Sequence, residues 1–407
     1  MTGSLLLRNA RLLDPLSGEY TEGDLRASDG RIVEAGPGLA TADVPTLDVR
    51  GAVVLPGLVD AHVHVTASTA DLGSLPSSSP SYVAAQAAQT MSRMLDRGFT
   101  TVRDASGADY GLADAQADGL FRGPRLLFCG RALSQTGGHG DSRTRGTQVK
   151  DDHPCCAGLG RVADGVDAVR AAARDELRKG AHHIKVMASG GVASPTDRID
   201  STQYSAEELT AIVEEATAAN RYVAAHAYTA RAVNRALELG VRSIEHGNLL
   251  DDRSVSLFLS QDAYLVPTLV TYWALKEEGR EHGLPESSWR KVDDVLGAGM
   301  AALERAARGG VKLVYGTDLL GGMHRHQNHE FRLRGEVQTP LEVIRSATST
   351  AADLLNLTGE IGTLAVGAHA DLLVVDGDPL ADIGVLADPK HFTHIIQGGE
   401  VVSGTAV

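Results

Sequence analysis

From Asp60 onward, short β-branched apolar runs alternate with amphipathic segments whose apolar residues recur at helical spacing. The apolar runs predict eight strands, at 58–65, 99–106, 124–133, 182–189, 221–228, 241–248, 263–270 and 311–318. Strands that alternate with helices are typical of a parallel sheet with crossover connections. Eight strand–helix units therefore predict an α/β fold, a (β/α)8 TIM barrel.

The stretch 206–219 illustrates the helical segments. Its apolar positions repeat every three or four residues: Leu209, Ile212, Val213 and Ala216. Ser205 followed by Glu208 forms a predicted capping box at its start, and Thr339 with Glu342 repeats this signal later in the chain.

The two ends of the chain have a different pattern, with short strand-like pieces separated by Gly, Asp and Pro. We predict that residues 1–56 and 358–407 together form a small β-sandwich domain, and that residues 57–357 form the catalytic barrel. The Ser- and Pro-rich segment 68–80 has no periodicity, so we predict a loop over the barrel mouth.

Composition narrows the possible functions. The formal net charge is −14, and no Lys/Arg-rich block offers the basic surface that nucleic acids require. No apolar run approaches the roughly 20 residues that span a bilayer. The three cysteines, Cys129, Cys155 and Cys156, are interpreted as reduced thiols. These features predict a cytoplasmic protein with neither a nucleic-acid nor a membrane partner.

Candidate metal ligands stand near the predicted C-terminal ends of the strands, where barrel enzymes keep their chemistry. In "HVH", His62 and His64 lie two residues apart and so face the same side of a strand. The other candidates are Lys185, His226, His246 and Asp318. Four imidazoles and a carboxylate suit a borderline-soft divalent metal such as zinc. Each residue alone could be structural, but their joint placement favours a metal site.

Five motifs in this order, "HVH" at 62–64, "IKVMASGG" at 184–191, "HAY" at 226–228, "EHG" at 245–247 and "GTD" at 316–318, resemble the amidohydrolase superfamily over essentially the whole chain. "GRALSQTGGHGD" at 130–141 and "MASGGVASPTD" at 187–197 resemble its prolidase-type (Xaa-Pro) metallo-dipeptidases, neighbours of the imidazolonepropionase-related group. The stretch 151–160 does not match the family's register, which leaves the leaving-group pocket unassigned.

The resemblance implies two divalent metal ions, with zinc expected, bridged by carboxylated Lys185. It places one ion on His62, His64, Lys185 and Asp318, and the other on Lys185, His226 and His246. It implies that a metal-bound hydroxide attacks the scissile carbonyl and that Asp318 carries the proton to the leaving nitrogen. It also implies a homo-oligomer, namely an octamer.

Tyr228 and His139 are the candidates for contact with the substrate. Tyr228 lies two residues after His226 and therefore on the same strand face, and His139 lies in a Gly-rich turn. In the resembling family such residues meet a substrate carboxylate or carbonyl. Arg103 is interpreted as structural, paired with the neighbouring Asp104.

Four functions remain open at this point. The first is cleavage of the C-terminal amide of dipeptides (Xaa-Pro-like) or N-acyl amino acids. The second is hydrolysis of aryl amides, phenylureas, carbamates or ochratoxin-like amides at the same site. The third, a mononuclear deaminase or imidazolonase, is disfavoured by Lys185. The fourth, a non-catalytic scaffold, predicts lost ligands, and none is missing.

Overall fold

The computed structural model describes residues 3–40, 44–148 and 157–404. Its strands are β1 (Leu5–Leu13), β2 (Tyr20–Ser28), β3 (Arg31–Gly36), β4 (Thr46–Asp48), β5 (Val53–Pro56), β6 (Leu58–Val63), β7 (Phe99–Asp104), β8 (Arg125–Leu127), β9 (Ala132–Ser134), β10 (Gly160–Val162), β11 (Ile184–Met187), β12 (Val223–Thr229), β13 (Ser243–Leu249), β14 (Tyr264–Val266), β15 (Lys312–Leu313), β16 (Leu372–Val375), β17 (Phe392–Gln397) and β18 (Glu400–Ser403).

The helices are α1 (Pro80–Asp96), α2 (Tyr110–Ala117), α3 (Val166–Arg178), α4 (Ala206–Ala218), α5 (Ala230–Glu238), α6 (Asp252–Ser260), α7 (Leu269–Glu278), α8 (Glu286–Arg308), α9 (His329–Gly335), α10 (Pro340–Ser346), α11 (Ser349–Leu354) and α12 (Gly384–Ala387). Both predicted capping boxes are present, at the starts of α4 and α10. Within the described ranges, no helix combines the length and apolarity needed to cross a bilayer.

The predicted (β/α)8 barrel is confirmed. Its strands β6, β7, β8, β11, β12, β13, β14 and β15 are parallel wherever they pair. The ring closes where the backbone N–H of Ala61 donates to Tyr315 O at 2.9 Å and that of Asp318 donates to His62 O at 2.8 Å. On the other side, His182 N donates to Phe128 O at 2.8 Å. Closure brings the C-terminal ends of all eight strands to one rim.

Three predicted strands differ clearly from those observed. The run 263–270 is strand only at β14, and α7 begins at Leu269. The run 124–133 is split into β8 and β9, because Gly130 between them has φ +73 and packs so closely that a Cβ would lie 2.2 Å from a Glu176 carboxylate oxygen. The run 311–318 keeps strand pairing only at β15. Beyond it, the N–H of Thr317 is shared between His62 O on β6 and the Asp60 carboxylate, both at 3.2 Å, so the regular ladder does not continue.

The predicted β-sandwich domain is also present, and its strands come from both ends of the chain. β5 pairs antiparallel with β16, which joins the N- and C-terminal segments. Alternate residues of β16 face opposite sides: Leu372 and Val374 pack inside this domain, whereas Leu373 and Val375 pack against the barrel. The boundaries 1–56, 57–357 and 358–407 stay a proposal.

Cys129 is buried and free. Cys155, Cys156 and most of the unmatched stretch 151–160 lie outside the described residues.

Candidate active site

The eight residues singled out in the sequence line one pocket of about 300 Å³ at the C-terminal rim of the barrel. His62 lies on β6, with His64 directly after it, and Lys185 lies on β11. His226 and Tyr228 lie on β12 and His246 on β13, whereas Asp318 and His139 follow β15 and β9. The loop predicted at 68–80 contributes Asp71, Leu72, Gly73 and Pro76 to the pocket wall.

His64 and His62 both direct Nε2 toward Asp318. Their Nε2 atoms lie 3.0 Å and 3.4 Å from Asp318 Oδ1. The other ring nitrogen of His64, Nδ1, donates to Ser106 O at 2.9 Å, which leaves the Nε2 lone pair available. This arrangement suits metal binding, because a ligating imidazole usually donates its second N–H to a fixed acceptor.

Glu245 accepts the second ring N–H of His62 in the same way, and this role of Glu245 was not predicted from the sequence. Glu245 Oε2 lies 2.7 Å from His62 Nδ1, and Arg103 Nη2 donates to both oxygens of this carboxylate, at 2.8 and 2.9 Å. Burial raises the pKa of Glu245, but the Arg103 charge and the His62 hydrogen bond lower it to well below its ordinary value. The predicted pairing of Arg103 with Asp104 is wrong, because adjacent strand residues face opposite sides.

His226 and His246 are buried and neutral. Burial, together with the charges of neighbouring groups, holds the pKa of each imidazole well below 6.5. His226 Nε2 donates to Gly190 O at 3.1 Å, and His246 Nδ1 donates to the Thr268 hydroxyl at 2.7 Å. Among the described residues, none hydrogen-bonds the other nitrogen of either ring, and neutral imidazole is the form that binds metal.

Lys185 is buried among the other candidate ligands. Burial lowers the pKa of its amine, against the opposing effects of the Glu245 and Asp318 carboxylates. Among the described residues, none accepts a hydrogen bond from Lys185 Nζ. Its amine is therefore both less basic than usual and free to react.

Asp318 is the most accessible member of the group, with 21% of its side chain exposed. Its backbone lies at φ +53, and that of His246 at φ +78, both unusual for residues other than glycine. Burial raises the pKa of Asp318, but the imidazoles of His62, His64 and His246 bring it well below its ordinary value. Asp318 is therefore an ionised carboxylate open to the pocket.

His139 is fixed in place although it lies in a Gly-rich turn. Its ring stacks on His226 with centroids 4.1 Å apart, and its Nδ1 lies 2.8 Å from Ser194 Oγ. Ser194 also hydrogen-bonds Asp197. A Cβ on Gly191 would lie 2.1 Å from the His139 ring, so only glycine fits there. Among the described residues, His139 Nε2 has no protein partner.

The donor set fits a divalent metal. Ligand atoms of His62, His246 and Asp318 lie within 4.8 Å of one another. Neutral imidazoles with their second nitrogen anchored, an ionised carboxylate and a deprotonatable lysine are the groups that zinc and similar ions bind.

Comparison with known proteins agrees with this site. Residues 53–402 match the family described as the amidohydrolase family. Ochratoxinase of Aspergillus niger is 34% identical over 423 residues, covering 98% of this chain and 86% of that protein. A prolidase solved in complex with N-methylphosphonate-L-proline is 48% identical, with a TM-score of 0.97 over 99% of this chain and all of the other.

A second similar structure is a Xaa-Pro dipeptidase with methionine bound in its active site. It is 29% identical, with a TM-score of 0.88 over 98% of this chain and 100% of that chain. These likenesses confirm the resemblance drawn from the five motifs and the assignment as a hydrolase of amide or peptide bonds. The chain belongs to the amidohydrolase family.

Proposed function

We propose that this amidohydrolase is a binuclear metal-dependent enzyme that cleaves the C-terminal amide bond of dipeptides, Xaa-Pro-like, or of N-acyl amino acids. The observation that carries the proposal is the convergence of eight residues on one pocket: His62, His64, His139, Lys185, His226, Tyr228, His246 and Asp318. The 48% identity with a prolidase that binds a proline phosphonate supports this substrate class.

In this proposal one metal ion is held by His62, His64, Lys185 and Asp318, and a second by Lys185, His226 and His246. Zinc is the expected metal. When bound, the ions would activate water and polarise the scissile carbonyl. The bridge requires the neutral Lys185 amine to add carbon dioxide and release a proton, which gives an anionic carbamate. The lowered pKa of Lys185, and the lack of an acceptor for its amine among the described residues, support that reaction.

Asp318 carries the proton in this mechanism. Its carboxylate faces the pocket beside His62 and His64, so Oδ1 or Oδ2 accepts a proton from the attacking water. The same oxygen then donates that proton to the departing nitrogen, which an amine leaving group requires. An ionised carboxylate that is open to the pocket can perform both transfers.

Tyr228 and His139 would meet the substrate carboxylate. Among the described residues that line the pocket there is no arginine, and Lys185 is the one lysine. The pocket also contains hydroxyl donors such as Ser142 and Tyr272, and among its donors we assign the Tyr228 phenol and the His139 imidazole to the carboxylate. Hydrogen bonds to charged groups contribute more than neutral ones, about 1.5–3 kcal/mol each.

A second candidate is hydrolysis of aryl amides, phenylureas, carbamates or ochratoxin-like amides. It is favoured by the 34% identity with ochratoxinase and by the apolar pocket wall, which includes Leu72, Leu159, Val192, Leu275 and Leu320. Assembly as a homo-octamer and a cytoplasmic location remain predictions.

The test is a substrate screen with zinc-loaded protein. Xaa-Pro dipeptides, N-acyl amino acids, their methyl esters and neutral aryl amides are compared by kcat/KM. The proposal predicts that free acids exceed their esters, whereas faster turnover of neutral aryl amides would favour the second candidate. The unmodified protein should bind about two metal ions per chain, and Lys185→Ala should bind fewer and lose most activity. Unchanged turnover and metal content in Lys185→Ala would rule out the lysine bridge.

A further inference from the structure

Asp71 places a carboxylate in the pocket wall that no described protein group uses. It is partly exposed and lines the same pocket as the candidate metal ligands. Among the described residues, none hydrogen-bonds its side chain and none forms an ion pair with it. The carboxylates of this lining are Asp71 and Asp318, and Asp318 belongs to the candidate metal ligands. Asp71 is therefore the carboxylate that neither the metal site nor a described ion pair accounts for.

The backbone on either side of Asp71 is fixed by hydrogen bonds. Thr69 Oγ1 and Ala70 N both donate to His282 O, at 3.2 and 3.0 Å, which ties the loop to the segment between α7 and α8. Thr69 Oγ1 in turn accepts from Asp71 N at 3.1 Å. Ser74 donates its N–H and its hydroxyl to Asp71 O, at 3.1 and 2.8 Å. The carboxylate therefore projects from an ordered turn, so a ligand that binds it pays little for ordering the loop.

The loop that carries Asp71 packs against the segment that follows Asp318. Gly321 donates its N–H to Ala67 O at 2.8 Å. A Cβ on Gly321 would lie 3.3 Å from Thr69 Cα, and Gly321 has φ +55, so a glycine permits this close approach. Asp71 is two residues beyond Thr69, which places it on the Asp318 side of the pocket.

The candidate contacts for the substrate carboxylate lie on the other side. His139 and Tyr228 flank His226, with ring centroids 4.1 and 4.7 Å from the His226 ring. Tyr228 lies on β12, the fifth of the eight barrel strands, whereas the loop of Asp71 follows β6, the first. In a ring of eight strands, the first and the fifth are opposite each other. Asp71 and Tyr228 therefore face each other across the barrel mouth.

We propose that Asp71 binds the N-terminal ammonium group of a dipeptide substrate. This inference rests on the proposed function, in which Tyr228 and His139 receive the C-terminal carboxylate. In a dipeptide the ammonium and the carboxylate lie on opposite sides of the scissile amide, which matches the placement of Asp71 and Tyr228 across the barrel mouth. The Asp71 carboxylate also repels a substrate carboxylate that enters in the reverse direction. N-acyl amino acids lack the ammonium group, so Asp71 favours dipeptides over them.

The test compares two substrates that differ only in the amine: alanyl-proline and propionyl-proline, in which hydrogen replaces the α-amino group. Asp71→Asn keeps the size of the side chain and removes its charge. In this variant kcat/KM for alanyl-proline should fall about tenfold, mainly through KM, because a charge-assisted hydrogen bond at a partly exposed position is lost. For propionyl-proline kcat/KM should not fall, and the zinc content should stay unchanged because Asp71 is not a candidate metal ligand.

Two further variants separate the local contact from a general effect of charge. Asp71→Glu retains the carboxylate and should keep the preference for alanyl-proline over propionyl-proline. Glu281→Gln is the matched control, because Glu281 is an exposed carboxylate of the segment between α7 and α8 and does not line the pocket. This variant changes the net charge by the same amount and should leave the ratio of kcat/KM for the two substrates unchanged.

An unchanged ratio of the two substrates in Asp71→Asn, or the same loss in Glu281→Gln, would overturn the inference while leaving the proposed function intact. Nα-acetyl-lysyl-proline carries its ammonium on the side chain and distinguishes the two possible sources of a cation. If its turnover, rather than that of alanyl-proline, depends on Asp71, the assignment to the N-terminal ammonium is wrong. Turnover of neither free acid by the unmodified enzyme would overturn both the inference and the proposed function.

Discussion

His62 Nδ1 and Glu245 Oε2 lie 2.7 Å apart in the fully buried interior of the barrel. Behind them, Arg103 binds both oxygens of Glu245, and Ser243 Oγ donates to Glu245 Oε1 at 2.5 Å. Because Glu245 can only accept, His62 must carry its proton on Nδ1 and present the Nε2 lone pair to the pocket. The buried ion pair thereby fixes the orientation and tautomer of one candidate metal ligand.

Glu245→Gln should weaken metal binding and destabilise the fold. The variant leaves the Arg103 charge buried without its partner, which costs about 3–5 kcal/mol of folding free energy. Loss of the acceptor behind a ligating histidine typically weakens metal affinity by about 10- to 100-fold. Chemical denaturation and zinc competition with a chelator measure the two effects.

Glu238→Gln serves as the control, since Glu238 pairs with Arg253 on the surface and should change neither quantity appreciably. If Glu245→Gln proves too unstable to purify, Ser243→Ala removes one hydrogen bond to the same carboxylate and should weaken zinc binding in the same direction. Zinc retention equal to the unmodified protein in both variants would contradict this role.

The sequence predicted the barrel and the candidate ligands because both depend on local signals. His62 and His64 share a strand face through the two-residue period, and each candidate follows an apolar run that marks a strand end. Glu245 was not predicted, because its partner Arg103 lies 142 residues away along the chain. Thr268, which accepts a hydrogen bond from His246, was missed for another reason: the apolar run 263–270 predicts a continuous strand, whereas the chain leaves β14 after Val266 and turns at Thr268.

Asp318→Asn should separate proton transfer from substrate binding. The amide keeps the shape of the side chain but cannot accept and return a proton, so kcat should fall by about 100-fold or more while KM changes little. Metal content measured on the same sample distinguishes this effect from loss of a ligand. A variant with nearly normal kcat and an unchanged pH profile would exclude Asp318 as the proton carrier.

The buried carboxyl of Glu330 should make the free energy of unfolding depend on pH, independently of catalysis. This carboxyl is fully buried, and Oε2 accepts from Val270 N at 2.7 Å, whereas Oε1 has no partner among the described residues. Burial raises the pKa of Glu330 to about 8, against the lowering effect of the Arg334 charge. Because the folded state holds this proton more tightly than the unfolded state, the contribution is complete below the ordinary carboxyl pKa and is lost as pH rises through about 8.

Between about pH 6 and 8 the free energy of unfolding should therefore fall by up to about 1.4 kcal/mol per pH unit, and it should level off above about pH 8. Glu330→Gln should remove this slope, because the amide stays neutral and its N–H₂ can occupy the position of the unpartnered oxygen. Glu277→Gln, an exposed change on α7, should retain the slope. Denaturant titrations at several pH values check this, and a slope that persists in Glu330→Gln would assign it to another group.

Lys291 stabilises the turn that positions the imidazole of His139. Lys291 Nζ, on α8, donates to the carbonyl oxygens of Gly191, Ser194 and Asp197 at 3.1, 2.9 and 2.9 Å. Three ammonium donors thus fix the turn that carries Ser194, whose hydroxyl lies 2.8 Å from His139 Nδ1.

Lys291→Met keeps most of the side-chain length but leaves three carbonyls without their donor. The turn should therefore loosen, and the position of His139 should become less fixed. We expect KM for free-acid substrates to rise about tenfold, because one charge-assisted contact to the substrate is weakened. The zinc content should stay unchanged, because Lys291 contacts no candidate metal ligand. Lys276→Met is the control, because Lys276 pairs with Asp293 on the surface and binds no pocket residue. Steady-state kinetics on an acid and its methyl ester measure the effect, and an unchanged KM for the acid would show that the turn holds its shape without Lys291.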